Sequence, residues 1–141
     1  MALGRFGQQG VTAAFYWAKL RSETRGFHAF RAFRNFDGRG GRFLDFSVPT
    51  EAPNDVSLFA STDASATHVV AVVLNLDPVF AAQAEIDVTK CGQVTQERAF
   101  RYGPDVSALT EETGKSSGTV LHELIAPYSI KVLDLTVQKP H

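Results

Sequence analysis

The chain has little of the chemistry on which most small metalloproteins and membrane proteins depend. Its 141 residues include one cysteine, Cys91, which excludes an internal disulfide bond and a thiolate-rich zinc site. No apolar run approaches the roughly 18 residues that span a bilayer, and residues 1–7 lack the apolar stretch of a signal peptide. We therefore expect no membrane partner, and we expect any export signal of a parent protein to lie upstream.

Net charge of either sign is also nearly absent. The formal net charge is −1, which provides no field to attract phosphate, so no nucleic-acid partner is expected. The charges are nevertheless distributed unevenly: residues 1–45 hold eight basic and three acidic groups, whereas residues 46–141 hold six basic and twelve acidic groups. This asymmetry indicates that the two parts belong to different structural contexts.

Two segments near the start predict a strand and a helix. Residues 11–18 (VTAAFYWA) are almost continuously apolar, which is typical of a strand buried on both faces. Residues 26–36 follow a period of about 100° per residue, which predicts an amphipathic helix that ends near Gly38. Its apolar arc comprises Ala29, Phe30, Ala32, Phe33 and Phe36, and its polar arc comprises His28, Arg31, Arg34 and Asn35.

From about residue 45 the pattern changes to short alternating segments separated by turn residues. With 44% apolar residues, the chain can bury one good core. We therefore predict a mainly β fold, an antiparallel β-sandwich of about six to eight strands, preceded by one strand and one amphipathic helix. Val69–Leu74 is the most uniformly apolar stretch and is predicted to be central. The predicted sandwich strands are 56–61, 67–76, 82–89, 94–102, 119–125 and 128–137.

The motifs for phosphate and nucleic-acid binding fail in detail. The glycine-rich stretch 37–41 follows a helix, whereas a phosphate-binding loop follows a strand and opens a helix, so a flexible helix exit is expected there. The segment from Arg25 to Phe36 combines arginines with phenylalanines, as RNA-binding surfaces do. However, His28 replaces a required small residue, and the helical wheel buries most of the rings.

No constellation of catalytic or metal-binding residues is evident. The four histidines, His28, His68, His122 and His141, lack ligand spacing, so no metal and no cofactor are expected. The chain has no Gly-x-Ser-x-Gly elbow. The adjacent pair Glu111–Glu112 lies in a polar stretch and is interpreted as part of a solvated loop rather than as the carboxylate pair of a glycosidase. We therefore predict no catalytic residue.

Trp17 is the one candidate binding residue. A single tryptophan late in a buried strand can simply fill the core. Alternatively, it lies at the carboxyl end of the strand, where barrel enzymes build their sites, and presents an apolar face to a sugar ring.

Three stretches resemble one family in order and spacing: residues 4–17 (GRFGQQGVTAAFYW), 29–38 (AFRAFRNFDG) and 41–48 (GRFLDFSV). They are similar to the end of the family 44 glycoside hydrolases, which cleave β-1,4-linked glucans with a (β/α)8 barrel followed by a β-sandwich. The resemblance implies that residues 1–44 are a remnant of the barrel end and that residues 45–141 form the sandwich. It also implies that Trp17 is the substrate-binding residue to carry over. The family's catalytic glutamates belong to earlier barrel strands, which the chain does not contain.

The resemblance implies a non-catalytic sandwich region that supports a catalytic barrel by packing, as a fragment of an extracellular, polysaccharide-degrading parent. The expected partner is the missing barrel or, through the Phe30/Phe33/Phe36 face, a second copy of the chain. A free-standing carbohydrate-binding module that takes β-glucan is a second possibility, and a self-contained enzyme a third. The aromatic residues that the sandwich offers to a sugar are Phe59, Phe80, Phe100, Tyr102 and Tyr128.

Overall fold

A computed structural model of the chain describes residues 1–14, 16, 19–53, 55–113 and 117–139. Within them a six-stranded sheet is covered on one face by a two-stranded sheet and on the other by a helix. The elements in chain order are α1 (Ala2–Gln8), α2 (Arg25–Arg34), β1 (Phe46–Val48), β2 (Val56–Thr62), β3 (His68–Asn75), β4 (Ala82–Asp87), β5 (Gln93–Tyr102), β6 (Thr110–Glu112), β7 (Val120–Ile125) and β8 (Ser129–Gln138).

All strand pairs are antiparallel. The large sheet has the order β1-β2-β3-β8-β5-β6, and the small sheet pairs β4 with β7. Strand β3 (HVVAVVLN) lies inside the large sheet and is buried from Val69 to Asn75. Its β-branched side chains suit a strand that packs on both faces. The predicted central position of Val69–Leu74 is therefore confirmed.

The first core lies between the two sheets. Alternate residues of β3 and β8 point toward the small sheet, as the two-residue period of a strand requires. They meet the inward side chains of β4 and β7 in one apolar cluster. Its members include Val69, Ala71, Val73, Ile86, Leu121, Ile125, Leu133 and Leu135.

The second core lies under α2, on the opposite face of the large sheet. Phe33 and Phe36 pack there against β3, β5 and β8, with Phe36 only 1% exposed. Helix α2 begins after Thr24, whose side chain accepts a hydrogen bond from the Phe27 backbone N–H at 3.3 Å. This bond satisfies one of the free donors of the first turn. Within this layer the Phe36 and Phe100 rings lie 5.1 Å apart.

Helix α1 was not predicted, and it lies against β2. Gly4 is the contact point, since a Cβ atom there would lie 2.4 Å from the Phe59 ring. Only glycine allows the helix backbone to approach the aromatic ring this closely.

The secondary structure agrees with most of the sequence-based expectations. The mainly β, antiparallel two-sheet architecture is confirmed, and each of the six predicted sandwich strands has a counterpart. The helix predicted at 26–36 is found at Arg25–Arg34. The three-residue strand β6 (Thr-Glu-Glu) was missed because it is a short, polar edge strand without apolar alternation.

The strand predicted at 11–18 is not found in the described residues. Residues 11–14 and 16 are neither strand nor helix, and the remaining residues of that segment lie outside the described part of the chain. Val11 and Tyr16 are exposed. An apolar segment becomes a buried strand only where neighbouring strands pair with it, and in the described residues none pairs with this one.

The predicted Phe30/Phe33/Phe36 face is largely covered by the chain's own sheet. Phe33 and Phe36 are buried in the second core, whereas Phe30 is half-buried. Of these three rings, Phe30 alone therefore remains accessible to a partner. Self-association through this face stays a prediction, and Phe30 is the ring through which it would occur.

The difference between these rings predicts different effects of truncation. We expect Phe36→Ala to lower the free energy of unfolding by about 3–5 kcal/mol, because it leaves a cavity in a packed core. Phe30→Ala is expected to cost about 1 kcal/mol, since its ring is partly in water. Urea unfolding followed by circular dichroism measures both, and equal losses would mean that α2 does not pack on the sheet as described.

Candidate functional site

The adjacent glutamates Glu111 and Glu112 belong to strand β6, so their predicted location in a solvated loop is wrong. Glu111 accepts a hydrogen bond from Arg98 Nε at 3.0 Å, and Glu112 accepts one from Arg101 Nε at 3.2 Å. The second oxygen of Glu112 lies 3.1 Å from Lys131 Nζ. Both carboxylates are therefore engaged by cations of the large sheet.

A second carboxylate reaches the same ammonium group from the small sheet. Glu123 Oε2 lies 2.5 Å from Lys131 Nζ, and the two residues are 9% and 8% exposed. Burial lowers the pKa of Lys131, but the contacts with Glu123 and Glu112 outweigh it, so the net shift is upward. An ammonium shared by β6, β7 and β8 joins the two sheets, and this arrangement leaves neither carboxylate free to act on a substrate.

Arg98 organises a further ion-pair network on the face of the large sheet that α2 covers. Besides Glu111 it contacts Asp134 Oδ2 at 3.4 Å and Asp37 Oδ2 at 3.6 Å, and its guanidinium lies over the Phe100 ring. Asp134 is in turn bonded to His68 Nε2 at 2.5 Å. The network thus joins β3, β5, β6 and β8 to the loop that follows α2.

The glycine-rich stretch 37–41 is arranged around its own aspartate. Asp37 Oδ1 accepts hydrogen bonds from the backbone N–H groups of Arg39 and Gly41, both at 2.8 Å. Burial raises the pKa of Asp37, but these bonds and Arg98 outweigh that effect and lower it. Gly38 and Gly40 have positive φ angles, which glycine adopts without strain. The Asp37 carboxylate already accepts from the backbone N–H groups that a phosphate would need. The interpretation of this stretch as a helix exit is therefore supported.

The three histidines in the described residues lie on different elements, α2, β3 and β7. His28 is buried beneath Tyr102, with the ring centroids 4.4 Å apart, and burial followed by the Arg31 charge lowers its pKa. His122 lies on the outer face of β7 opposite Glu85, and His141 lies outside the described residues. Over the described ranges no group of three or more His, Cys, Asp or Glu side chains could hold a metal ion. In the same ranges no helix is long and apolar enough to cross a membrane.

Trp17 lies outside the described residues. Its predicted contact with a sugar therefore stays a prediction.

Among the described residues, two surfaces combine accessible aromatic side chains with a cavity. The first, the outer α2 surface, comprises Tyr16, Phe27, Phe30, Arg31 and Arg34. Tyr16 packs edge-on against Phe30 with the ring centroids 5.7 Å apart. Beside them a shallow cavity of about 530 Å³ is lined by Phe27, Phe30 and both arginines. This surface therefore combines aromatic rings with positive charge.

The second surface is a groove at the end of the sandwich where α2 begins. We call it the tyrosine groove, and it is lined by Arg25, Leu76, Tyr102, Pro104 and Tyr128, with a volume of about 300 Å³. Of the five aromatic residues predicted to face a sugar, Phe59 and Phe100 are buried in the core. The structure brings Tyr102 and Tyr128 together in this groove, and Phe80 is exposed on the neighbouring loop.

No family model matches the chain. Endoglucanase A of Paenibacillus lautus is 28% identical over 116 residues, which is 79% of this chain and 16% of that protein. The structure of CelM2, a bifunctional glucanase-xylanase from a metagenome library, superposes on 96% of the chain and 27% of CelM2 with 25% identity and a TM-score of 0.88. A Paenibacillus polymyxa xyloglucanase of glycoside hydrolase family 44 gives 24% identity and a TM-score of 0.85, with coverage of 96% and 28%.

These similarities confirm the predicted resemblance to the family 44 glycoside hydrolases. The chain spans about a quarter of the length of the solved structures and less of the curated relative.

The shared ammonium predicts an alkaline limit to stability. Because the folded pKa of Lys131 is raised, its contribution is complete below the ordinary value of 10.5 and is lost as the pH rises through the folded value. Lys131→Arg keeps its charge to higher pH, since the arginine pKa exceeds about 12. We expect its stability to fall less steeply between about pH 10 and 12, as measured by urea unfolding. Parallel curves for the two proteins would show that this cation does not join the sheets.

Proposed function

We propose that this chain is the non-catalytic C-terminal β-sandwich region of a β-1,4-glucan-degrading glycoside hydrolase and that it supports the catalytic barrel by packing against it. The named relatives support the substrate class, since they are an endoglucanase, a glucanase-xylanase and a xyloglucanase. The partial coverage of those relatives supports the accessory role. Because polymeric glucans are found outside cells, we propose that the parent enzyme is extracellular.

The engagement of the carboxylates supports the absence of catalysis. A glycosidase needs one carboxyl group that delivers a proton and a second that acts as nucleophile or base, on either side of a sugar. Here a single ammonium, that of Lys131, lies between the carboxylates of Glu112 and Glu123, where a substrate would have to enter. The ion pairs therefore serve to join strands.

The exposed aromatic rings of the outer α2 surface are the main support for the proposed packing against the barrel. Helix α2 buries one face on the sheet and leaves Phe27 and Phe30 partly exposed on the other, beside Tyr16. A cluster of accessible aromatic rings on a small domain marks a contact surface. Arg31 and Arg34 flank these rings, so the complementary patch on the barrel is expected to be apolar with acidic groups at its edge.

A chimera tests this packing. The chain replaces the matching segment of the Paenibacillus polymyxa xyloglucanase, and thermal unfolding and xyloglucan hydrolysis are measured. We expect Phe30→Asp to lower the melting temperature and the activity half-life of the chimera, because a carboxylate replaces a ring at the contact. The matched control is Leu124→Asp, which introduces the same charge at an exposed residue of the small sheet, on the opposite side of the large sheet.

The same substitutions in the isolated chain separate folding from packing. If Phe30→Asp destabilises the isolated chain as much as the chimera, or if both substitutions affect the chimera equally, the proposed contact is wrong. Without a barrel the uncovered surface is also available for self-association, which sedimentation velocity detects as a Phe30-dependent dimer.

The chain on its own is expected to release no reducing ends from carboxymethylcellulose or xyloglucan, because Glu111, Glu112 and Glu123 are held in ion pairs. The chimera, assayed at the same concentration, is the positive control. Hydrolysis by the isolated chain that Glu123→Gln abolishes, with folding retained, would establish a self-contained enzyme instead.

A further inference from the structure

We infer that the tyrosine groove binds a neutral β-linked glucan chain. The shape and lining of the groove indicate a binding site. The choice of a glucan as its ligand rests on the proposed function. The groove is independent of the outer α2 surface, so the domain would contact both the barrel and the polymer.

The lining of the groove suits a sugar. Its surface is mostly apolar, and its lining includes Tyr102, Tyr128, Leu76 and Pro104. Tyrosine offers a flat apolar ring for the C–H face of a pyranose and a hydroxyl group for hydrogen bonding at the ring's edge. The Arg25 guanidinium adds donors, and in the described part of the chain no hydrogen bond or ion pair engages it. A volume of about 300 Å³ is at the lower end for ligand clefts, about 300–1,000 Å³, and admits a short stretch of chain.

The Tyr102 ring is held rigidly. It stacks on the imidazole of His28 with an interplanar angle of 23°, and His28 is 3% exposed. Phe27 contacts the same imidazole edge-on, with the ring centroids 5.4 Å apart. A ring supported by a buried neighbour keeps its orientation without a ligand, which reduces the entropy lost on binding.

Tyr128 is exposed to solvent and has a strained backbone conformation. Its φ angle is 49°, in the left-handed region that favours glycine, yet its side chain is 54% exposed. A core-packing role does not account for a large aromatic residue at such a position. Strain of this kind persists where the surrounding structure enforces it and is concentrated at functional sites.

A buried amide holds this conformation in place. Asn75 is 1% exposed, and its side-chain Nδ2 donates to the carbonyl oxygens of Phe80 and Ile125. Its Oδ1 accepts a bond from the Asp77 N–H, and the Asp77 carbonyl accepts one from the Tyr128 N–H at 2.9 Å. The loop between β3 and β4 and the loop between β7 and β8 are thus locked together beside the groove.

The charge of the lining favours a neutral polymer over a cationic or strongly anionic ligand. Arg25 is the sole charged residue among the described residues that line the groove, and no carboxylate lies there. The loop between β3 and β4, which contributes Leu76 to the groove, also exposes Val79 and Phe80, at 67% and 72%. A long, flat chain with apolar sugar faces can reach this loop as well as the groove, whereas a compact ligand cannot.

Tyr128→Gly is the most informative substitution. It removes the ring and relieves the strained backbone, so the melting temperature should be unchanged or higher. Titration of the full chain with cellohexaose and with a xyloglucan heptasaccharide, followed by NMR chemical shifts, measures affinity. We expect millimolar or tighter binding, weakened at least tenfold by Tyr128→Gly. Tyr102→Phe keeps the stacking on His28 and removes only the hydroxyl group, and it should weaken binding by a smaller factor.

Tyr16→Ala is the matched control, because Tyr16 is an exposed tyrosine on the outer α2 surface. It should leave sugar affinity unchanged. The proposal is overturned if neither oligosaccharide shifts the resonances of the groove at millimolar concentration, or if Tyr16→Ala weakens binding as much as Tyr128→Gly. It is also overturned if Tyr128→Gly leaves sugar affinity intact but destabilises the xyloglucanase chimera, since the groove would then be a domain interface. Loss of packing in the Phe30→Asp chimera bears on the proposed function alone.

Discussion

The structure depends on one constraint, that the central strands of the large sheet are apolar on both faces. Strand β3 is buried over seven consecutive residues, and β8 beside it buries side chains in both cores. A sheet of this kind is stable in water only when both faces are covered. The small sheet covers one face and α2 covers the other, so the helix is an integral layer of the domain.

This layering determines which side chains are available for function. The charged residues that could suggest chemistry, above all Lys131 and Arg98, lie at the junctions between strands and are engaged in ion pairs there. The aromatic residues fall into two groups, because those that fill the cores are buried and cannot contact a partner. Among the described residues, the aromatic side chains on the outer side of α2 and in the groove at its first turn lie beside cavities. These two surfaces carry the proposals for barrel packing and glucan binding.

Much of the fold could be predicted because it depends on local pattern. The alternating segment at 82–89 and the apolar run Val69–Leu74 correctly located strands of both sheets. The segment 11–18 was assigned incorrectly for the same reason, since an apolar run specifies a strand only when a neighbour is there to pair with it. The partners of Glu112 could not be predicted from the sequence either. Lys131 and Arg101 are distant from Glu112 along the chain and meet it only through strand pairing.

The sequence by itself determined the antiparallel β-class, the approximate strands, the amphipathic helix and the resemblance to the family 44 glycoside hydrolases. Each of these follows from side-chain periodicity or from contiguous motifs. Only the tertiary structure decided that α2 lies on the sandwich, that Glu123 shares an ammonium group with Glu112, and that Tyr102 and Tyr128 line one groove. Such juxtapositions depend on which strands pair and in which register, and these long-range choices leave no periodic signal along the chain.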